Sequence, residues 1–287
     1  MAGIRGGVVV SGSSTGIGRA TALRLARAGH RVFAGVRRLA DADSLRAEGL
    51  PALEPLLFDV TDAAAVRAAA QAVAAEVGDA GLLGVVANAG VGVGGPLEFL
   101  ALDEMRRQLE VNVLGVLSVV QAFLPLVRRA RGRVVITGSI GGRNAMPIVG
   151  PYATSKFALE GMAEALRREL APLGVHVALI EPGSIATPMM LEKTPQTGAE
   201  LLAKLEGEAK QLYGPMARAM LEAFAGFGKR AIPPERVALA IEHALTAGRP
   251  KARYLVGTDA KLQALLVRLL PDRWRDALIT RLVGLPR

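Results

Sequence analysis

Cysteine is absent from all 287 residues, which excludes disulfides and thiolate-held metals. The three histidines, His30, His176 and His243, lie far apart in sequence, so a histidine-built centre is not expected and no metal enters the reading. With no thiol to report on redox compartment, the cytoplasm is the default location. Aromatic residues make up only 4% of the chain while 51% of it is hydrophobic; an aliphatic core large enough for one big domain follows. The opening segment MAGIRGGVVV has neither a long apolar run nor a small-residue cleavage site, so no secretory signal is expected there. Charge is missing from Ala80 to Leu97 and from Val111 to Val127, each almost a membrane span. The first stretch holds six glycines, Asn88 and Pro96, and the second holds Asn112, Ser118, Gln121 and Pro125, which suits buried α/β elements better than lipid.

The net charge is +9, a balance that invites a nucleic-acid partner. Between Arg249 and Arg287, however, nine Lys/Arg face three Asp. Most of the excess therefore sits in a C-terminal tail on a nearly balanced domain, and a nucleic-acid partner is not the favoured one.

What the chain does have is a steady alternation of short apolar runs and amphipathic stretches. Strands are predicted at Gly7 to Val10, Arg31 to Val36, Ala52 to Asp59, Leu82 to Ala87, Gly132 to Ser139 and Val175 to Glu181, with Ala252 to Val256 as a candidate seventh. Between them helices are predicted at Thr15 to Ala28, Ala42 to Glu48, Ala64 to Val77 (capped by Thr61 and Asp62), Asp103 to Arg129 and Pro151 to Leu170. Such alternation means a parallel sheet covered on both faces. From Thr187 to Ile232 the pattern changes to Met-bearing helical pieces broken by Pro188, Pro195, Gly207, Gly214, Pro215, Gly226 and Gly228. An insertion of this kind reads as a lid or a packing excursion.

The stretch VVVSGSSTGIGRA places Gly12, Gly16 and Gly18 after a strand and at the opening of a helix. Glycines allow a tight turn and close approach of the backbone to a pyrophosphate, whose charge the helix N-terminus stabilises. At the end of the second strand an acid would bind both ribose hydroxyls of NAD; Arg37 and Arg38 stand there instead and suit a 2′-phosphate, so NADP(H) is favoured over NAD(H). Asp59 and Val60 close the third strand, where they either contact adenine or simply cap the strand. Tyr152 and Lys156 are four apart on one helical face, with Ala158, Met162, Leu166 and Leu170 as the core stripe. A nearby ammonium stabilises phenolate and lowers the tyrosine pKa, which suits the proton transfers of carbonyl and alcohol interconversion.

Together these motifs resemble those of the short-chain dehydrogenase/reductase family, in a branch like the 17β-hydroxysteroid and retinol dehydrogenases. SGSSTGIG is similar to the family's TGxxxGIG, ANAG (Ala87 to Gly90) to NNAG, Asn112 in EVNVLG to the tetrad asparagine, and EPGSIATPM (Glu181 to Met189) to the PGxxxT segment. Ser139 precedes Tyr152 by the separation typical of the family. The resemblance runs from Gly6 to about Pro188. It implies a single-domain Rossmann fold, with a doubly wound sheet of six to seven strands over residues 1–258, a helical lid at about 188–232 and a basic amphipathic extension at 259–287.

The resemblance also implies roles. Tyr152 would be the proton donor or acceptor, Ser139 would hydrogen-bond the substrate oxygen, Lys156 would bind the nicotinamide ribose, and Asn112 would hold a water linking Lys156 to solvent. The cofactor would lie along Gly12, Ser13, Ser14, Thr15, Gly16, Ile17 and Gly18, along Asn88, Ala89 and Gly90, and along Pro182, Gly183, Ile185 and Thr187. Two departures stand out: Ser11 replaces the usual threonine, keeping a hydroxyl, and Ala87 replaces the first asparagine, losing a structural hydrogen bond. A homodimer or homotetramer is expected.

For the substrate, Asn144, Met146, Met189, Met190, Tyr213, Met216, Phe224 and Phe227 are candidate pocket residues, and pliable apolar side chains suit a bulky hydrophobic ketone or alcohol. The extension carries Leu262, Leu265, Leu266, Leu269, Trp274, Leu278 and Leu282 among arginines, divided by Pro271. It either packs on its own domain or a dimer mate, or lies on an anionic membrane. Two further readings remain open: a reductase of carrier- or CoA-linked β-ketoacyl groups, and a non-catalytic dinucleotide-sensing or nucleic-acid-binding protein, against which all four of Asn112, Ser139, Tyr152 and Lys156 argue.

Overall fold

The computed structural model describes residues 7–284. Residues 1–6, part of the segment expected to hold no secretory signal, and residues 285–287, the end of the extension, lie outside the described residues. Seven strands form one parallel sheet: β1 (Gly7–Val10), β2 (Val32–Val36), β3 (Leu53–Leu57), β4 (Leu82–Ala87), β5 (Arg133–Thr137), β6 (His176–Pro182) and β7 (Arg253–Val256), in the order β3-β2-β1-β4-β5-β6-β7. The chain reverses its direction of winding between β1 and β4, and the C-terminal ends of strands at such a switch point are where open α/β sheets bind ligands.

Side-chain alternation along each strand feeds two cores. Val9, Val85 and Val134 point to the layer formed by α3 (Ala63–Val77), α5 (Gly115–Arg129) and α6 (Gly150–Leu170). Val8, Val10, Val86 and Val135 point to the layer formed by α1 (Gly16–Arg27), α2 (Leu39–Arg46) and α9 (Glu235–Thr246). Asp62 caps α3 through bonds from the Ala64 and Ala65 N–H groups. The helix α9 was not expected, although Val237, Ala238, Ile241, Ala244 and Leu245 make a buried stripe at helical spacing.

Three expectations need correction. The helix expected at Asp103 to Arg129 is α4 (Leu102–Leu109) and α5 joined by a π-helical turn, Glu110–Leu114. By length and composition this Leu102–Arg129 stretch could cross a membrane, but the Val116, Val119, Val120, Phe123 and Val127 face of α5 is buried in the core beside α3 and β4. In α6 Leu170 is buried and Met162 and Leu166 pack against the core as expected, whereas Ala158 is exposed and the most deeply buried positions are Ser155, Lys156, Leu159 and Ala163. Finally, the segment expected as a lid forms two helices, α7 (Thr194–Lys204) and α8 (Gly207–Lys229), after a π-helical turn at Met189–Lys193. The helix α8 runs unbroken through Gly214, Pro215, Gly226 and Gly228. Packing of its buried Ala217 and Met220, and of Leu221 against Gly198 of α7, outweighs the helix-breaking cost of Pro215. After β7 the extension forms α10 (Thr258–Leu269) and α11 (Asp272–Leu282), divided at Pro271 as expected.

Candidate active site

The glycine loop lies at the switch point, between β1 and α1. Gly12 adopts φ 68°, and a side chain there would meet Ala89 at 2.7 Å, so only glycine fits the turn. Ser11 replaces a threonine without loss: its hydroxyl is buried and accepts the Asn88 N–H at 3.0 Å and the Ala89 N–H at 3.2 Å. The Asn88 amide in turn donates to the Ser11 and Gly12 carbonyls, while Ala87 is buried in β4. The Ser13 hydroxyl donates to the Val10 carbonyl at 2.8 Å and so helps hold the turn. Thr15, at the N-cap of α1, makes no side-chain capping bond, and no acid stands in the first turn. An uncapped helix start of this kind presents unpaired N–H groups and positive potential to a phosphate, so the residues present fit a dinucleotide. Gly16 lies against Thr187, its would-be Cβ 3.0 Å from Cγ2, so the glycine loop and the Pro182 to Thr187 segment share one cleft.

Beyond β2 the two arginines differ. Arg38 is paired with Asp41 through two bonds of 2.8 and 2.9 Å. Arg37 is 65% exposed and meets Asp59 at a loose 3.6 Å. Burial pushes the Asp59 carboxyl up, but bonds from the Thr61 N–H and hydroxyl, aided by Arg37, bring it below the usual carboxylate range overall. One Asp59 oxygen is therefore occupied as a turn cap, and Val60 is buried.

Tyr152 and Lys156 share the inward face of α6, with the Lys156 ammonium 5.6 Å from the Tyr152 ring and donating to the Thr137 carbonyl at 2.9 Å. Lys156 is buried, and desolvation lowers its pKa to about 8. The expected lowering of Tyr152 is not observed: burial raises the phenol above its usual range, and the Ser139 hydroxyl offsets this only in part. Ser139 accepts the Gly141 N–H at 3.0 Å, and its hydroxyl lies against the Tyr152 phenol. Asn112 sits in the π-helical turn, a feature that recurs at functional sites. Its amide exchanges bonds of 2.8 and 3.0 Å with the Val91 backbone and donates to Ser155 at 3.1 Å.

Several residues missed in sequence support this cluster. Gln108, fully buried one turn before Asn112, accepts from the Val93 N–H at 2.7 Å and donates to the Val91 carbonyl at 3.0 Å; its i, i+4 spacing to Asn112 was the available signal. Glu181, fully buried in β6, accepts from Nε and Nη2 of Arg143 and lies 3.8 Å from Arg253, which also pairs with Glu160 and Glu164 of α6. Burial pushes the Glu181 carboxyl up to about 7 against the pull of Arg143. Among the described residues no group of His, Asp or Glu is arranged to hold a metal.

The substrate candidates are partly assembled. Met146, Met189, Met190, Met216 and Phe224 are half-buried, while Phe227 is at the edge of exposure and packs edge-to-face on Phe224 at 5.9 Å. Tyr213 faces the Leu97–Phe99 turn, donating to Glu98 at 2.7 Å and stacking edge-on with Phe99 at 5.8 Å. Asn144 is buried and gives its amide to Gln263 of α10 at 3.2 Å. A separate surface groove of about 330 Å³ lies between α1 and α9 and contains none of these residues.

A family model described as short chain dehydrogenase matches residues 7–198. The chain is a short-chain dehydrogenase. Retinol dehydrogenase 5 of Mus musculus is 39% identical to it over 97% of this chain and 89% of its own length. A short chain dehydrogenase of Burkholderia cenocepacia in complex with NADP shares the fold at TM-score 0.71 and 26% identity, covering 97% of this chain and 98% of that one. A short chain dehydrogenase/reductase of Burkholderia phymatum in complex with NAD does so at 0.75 and 25%, covering 98% and 97%. This short-chain dehydrogenase is accordingly an oxidoreductase that transfers hydride between a nicotinamide dinucleotide and a CH–OH/C=O pair, with retinol dehydrogenase-like relatives.

Proposed function

We propose that this enzyme uses NADP(H) and interconverts a ketone or aldehyde with its alcohol on a hydrophobic, retinoid- or steroid-like substrate. The observation that carries the cofactor preference is Arg37. It follows β2 directly, where an acid would serve NAD, and it is more available than Arg38, which Asp41 holds. In a fluorescence titration, Arg37→Asp is expected to weaken NADPH binding about 10- to 100-fold, as for a lost charge-assisted hydrogen bond, and to leave NADH unaffected. Equal wild-type affinities for NADPH and NADH would overturn the preference. A panel of retinoid, steroid, aryl and β-ketoacyl carbonyls, followed by absorbance of the reduced cofactor, ranks the substrates. The similarity to retinol dehydrogenase 5 and the half-buried methionines and Phe224 support the lipophilic class.

A nicotinamide dinucleotide held in this cleft would supply or take up the hydride of the carbonyl–alcohol interconversion. Tyr152, kept protonated by burial, gives its proton to the substrate oxygen as charge develops there. Ser139 donates to the same oxygen, its Oγ steadied by the Gly141 N–H. Lys156 would hold the nicotinamide ribose hydroxyls, and its ammonium, 5.6 Å from the Tyr152 ring, stabilises the phenolate left on Tyr152. Asn112 and Gln108 fix the Val91 to Val93 segment beside them, and Ile185 and Thr187 would orient the carboxamide.

The extension is read as a peripheral membrane contact suited to a lipophilic substrate. Leu262, Leu265, Leu269 and Leu282 are exposed beside Lys261, Arg268 and Arg273, and Trp274 is 70% exposed. Trp274 is the only tryptophan, so its emission should shift to shorter wavelength with anionic vesicles and stay unchanged with zwitterionic ones. No shift with either would contradict the contact.

A further inference from the structure

The helix α10 begins the extension, yet its inner face reaches back into the cleft at two places. Asp259, in its first turn, accepts the Ser184 N–H at 2.7 Å. The carboxylate sits between two glycines, Gly183 and Gly257, and a side chain at Gly183 would collide with it. Ser184 lies within the Pro182 to Thr187 segment, whose other restraints are the Gly183 N–H bond to the Val256 carbonyl at 2.9 Å and the exchange with Ile232, at 3.0 Å from the Ser184 carbonyl and 2.9 Å from the Ala186 N–H. One helical turn after Asp259, on the same face, Gln263 accepts the amide of buried Asn144 at 3.2 Å. Asn144 follows the Ser139 to Gly142 turn and bonds the Ile140 carbonyl through its own N–H. Ala260, beside Asp259, is fully buried and anchors the helix.

We propose that Asp259 and Gln263 are positioning residues, by which α10 sets the nicotinamide end of the cleft through Ser184 and the Ser139 side through Asn144. The inference rests on the cofactor reading above. It is specific to one half of the ligand: the segment that Asp259 fixes would meet the nicotinamide end, whereas the adenosine half would meet Arg37 beyond β2, remote from α10 in sequence. Loss of a hydrogen bond to a charged acceptor leaves the Ser184 N–H without its partner and the segment freer to depart from its binding geometry. A merely structural role would instead weaken every ligand together.

The test compares, for whichever dinucleotide the wild type binds more tightly, the affinity of the whole dinucleotide with that of a fragment lacking nicotinamide, 2′,5′-ADP or ADP-ribose. Asp259→Ala is expected to weaken the dinucleotide about 10-fold or more and to leave the fragment within about twofold, while Asp259→Asn, which keeps an acceptor oxygen, restores most of the affinity. Unchanged dinucleotide binding in Asp259→Ala, or an equal loss for dinucleotide and fragment, would overturn the proposal. If Asp259→Ala does not fold, Gln263→Leu carries the test: a several-fold rise in KM for the carbonyl substrate with unchanged fragment affinity is expected, and an unchanged KM refutes it. A wild type that binds neither dinucleotide nor fragment would instead refute the cofactor reading, so the two failures are distinct.

Discussion

Tyr152→Phe is expected to lower kcat by about 10²- to 10⁴-fold, the range for removing a positioned acid or base, while cofactor affinity and unfolding midpoint stay near wild type. The phenol's effect is confined to its proton. The Tyr152 ring stays against Lys156 and the Ser139 turn in the variant, so packing is conserved. A drop in kcat and kcat/KM by the same factor would mark an interaction made in the transition state. Turnover within about twofold of wild type would remove Tyr152 from the mechanism.

Lys156→Met is expected to be inactive and yet more stable than the wild type. Desolvation by burial lowers the Lys156 pKa from 10.5 to about 8, which corresponds to roughly 3 kcal/mol against the charged form. Removing the charge relieves that penalty, and losing the bond to Thr137 takes back about 1 kcal/mol, so a gain of about 1–2 kcal/mol is predicted in denaturant unfolding. The pH dependence has a definite sign. Between about pH 8 and the onset of tyrosine ionisation near 10, the unfolded chain keeps the lysine proton and the folded chain releases it, so wild-type stability rises with pH. Above that window Tyr152, whose folded pKa is raised, acts in the opposite direction. The Met variant should lack the rise. A destabilised variant would show that the ammonium supports the fold, and the view of Lys156 as a strained functional group would fail.

The sheet was legible because each strand is a short aliphatic run between turn signals, and β4 matches its expected bounds, Leu82 to Ala87, without adjustment. The residues of the proposed tetrad were legible for a different reason: glycines, tyrosine and lysine at fixed spacing carry local geometry. What escaped the sequence depends on partners distant along the chain. Glu181 meets Arg143 and Arg253, Asp259 meets Ser184, and Gln263 meets Asn144; no periodicity announces such pairs. The π-helical turn at Asn112 hides inside a continuous amphipathic pattern, since one added residue shifts the stripe without breaking it. The direction of the Tyr152 shift was misjudged because spacing reveals the ammonium but not the desolvation, and desolvation is the larger effect here. The helix α9, by contrast, carries a readable stripe in Val237, Ala238, Ile241, Ala244 and Leu245.

The central claim is that hydride and proton meet a carbonyl between the nicotinamide end of the cleft and Tyr152. The most direct measurement supplies NADPH deuterated at nicotinamide C4, with the carbonyl compound the purified enzyme reduces fastest, and locates the label by mass spectrometry or NMR. The account predicts an alcohol carrying deuterium on its carbinol carbon, formed on one face only and about 10²- to 10⁴-fold more slowly with Tyr152→Phe. An enzyme that binds NADPH tightly but passes no deuterium to any carbonyl of the panel would contradict it.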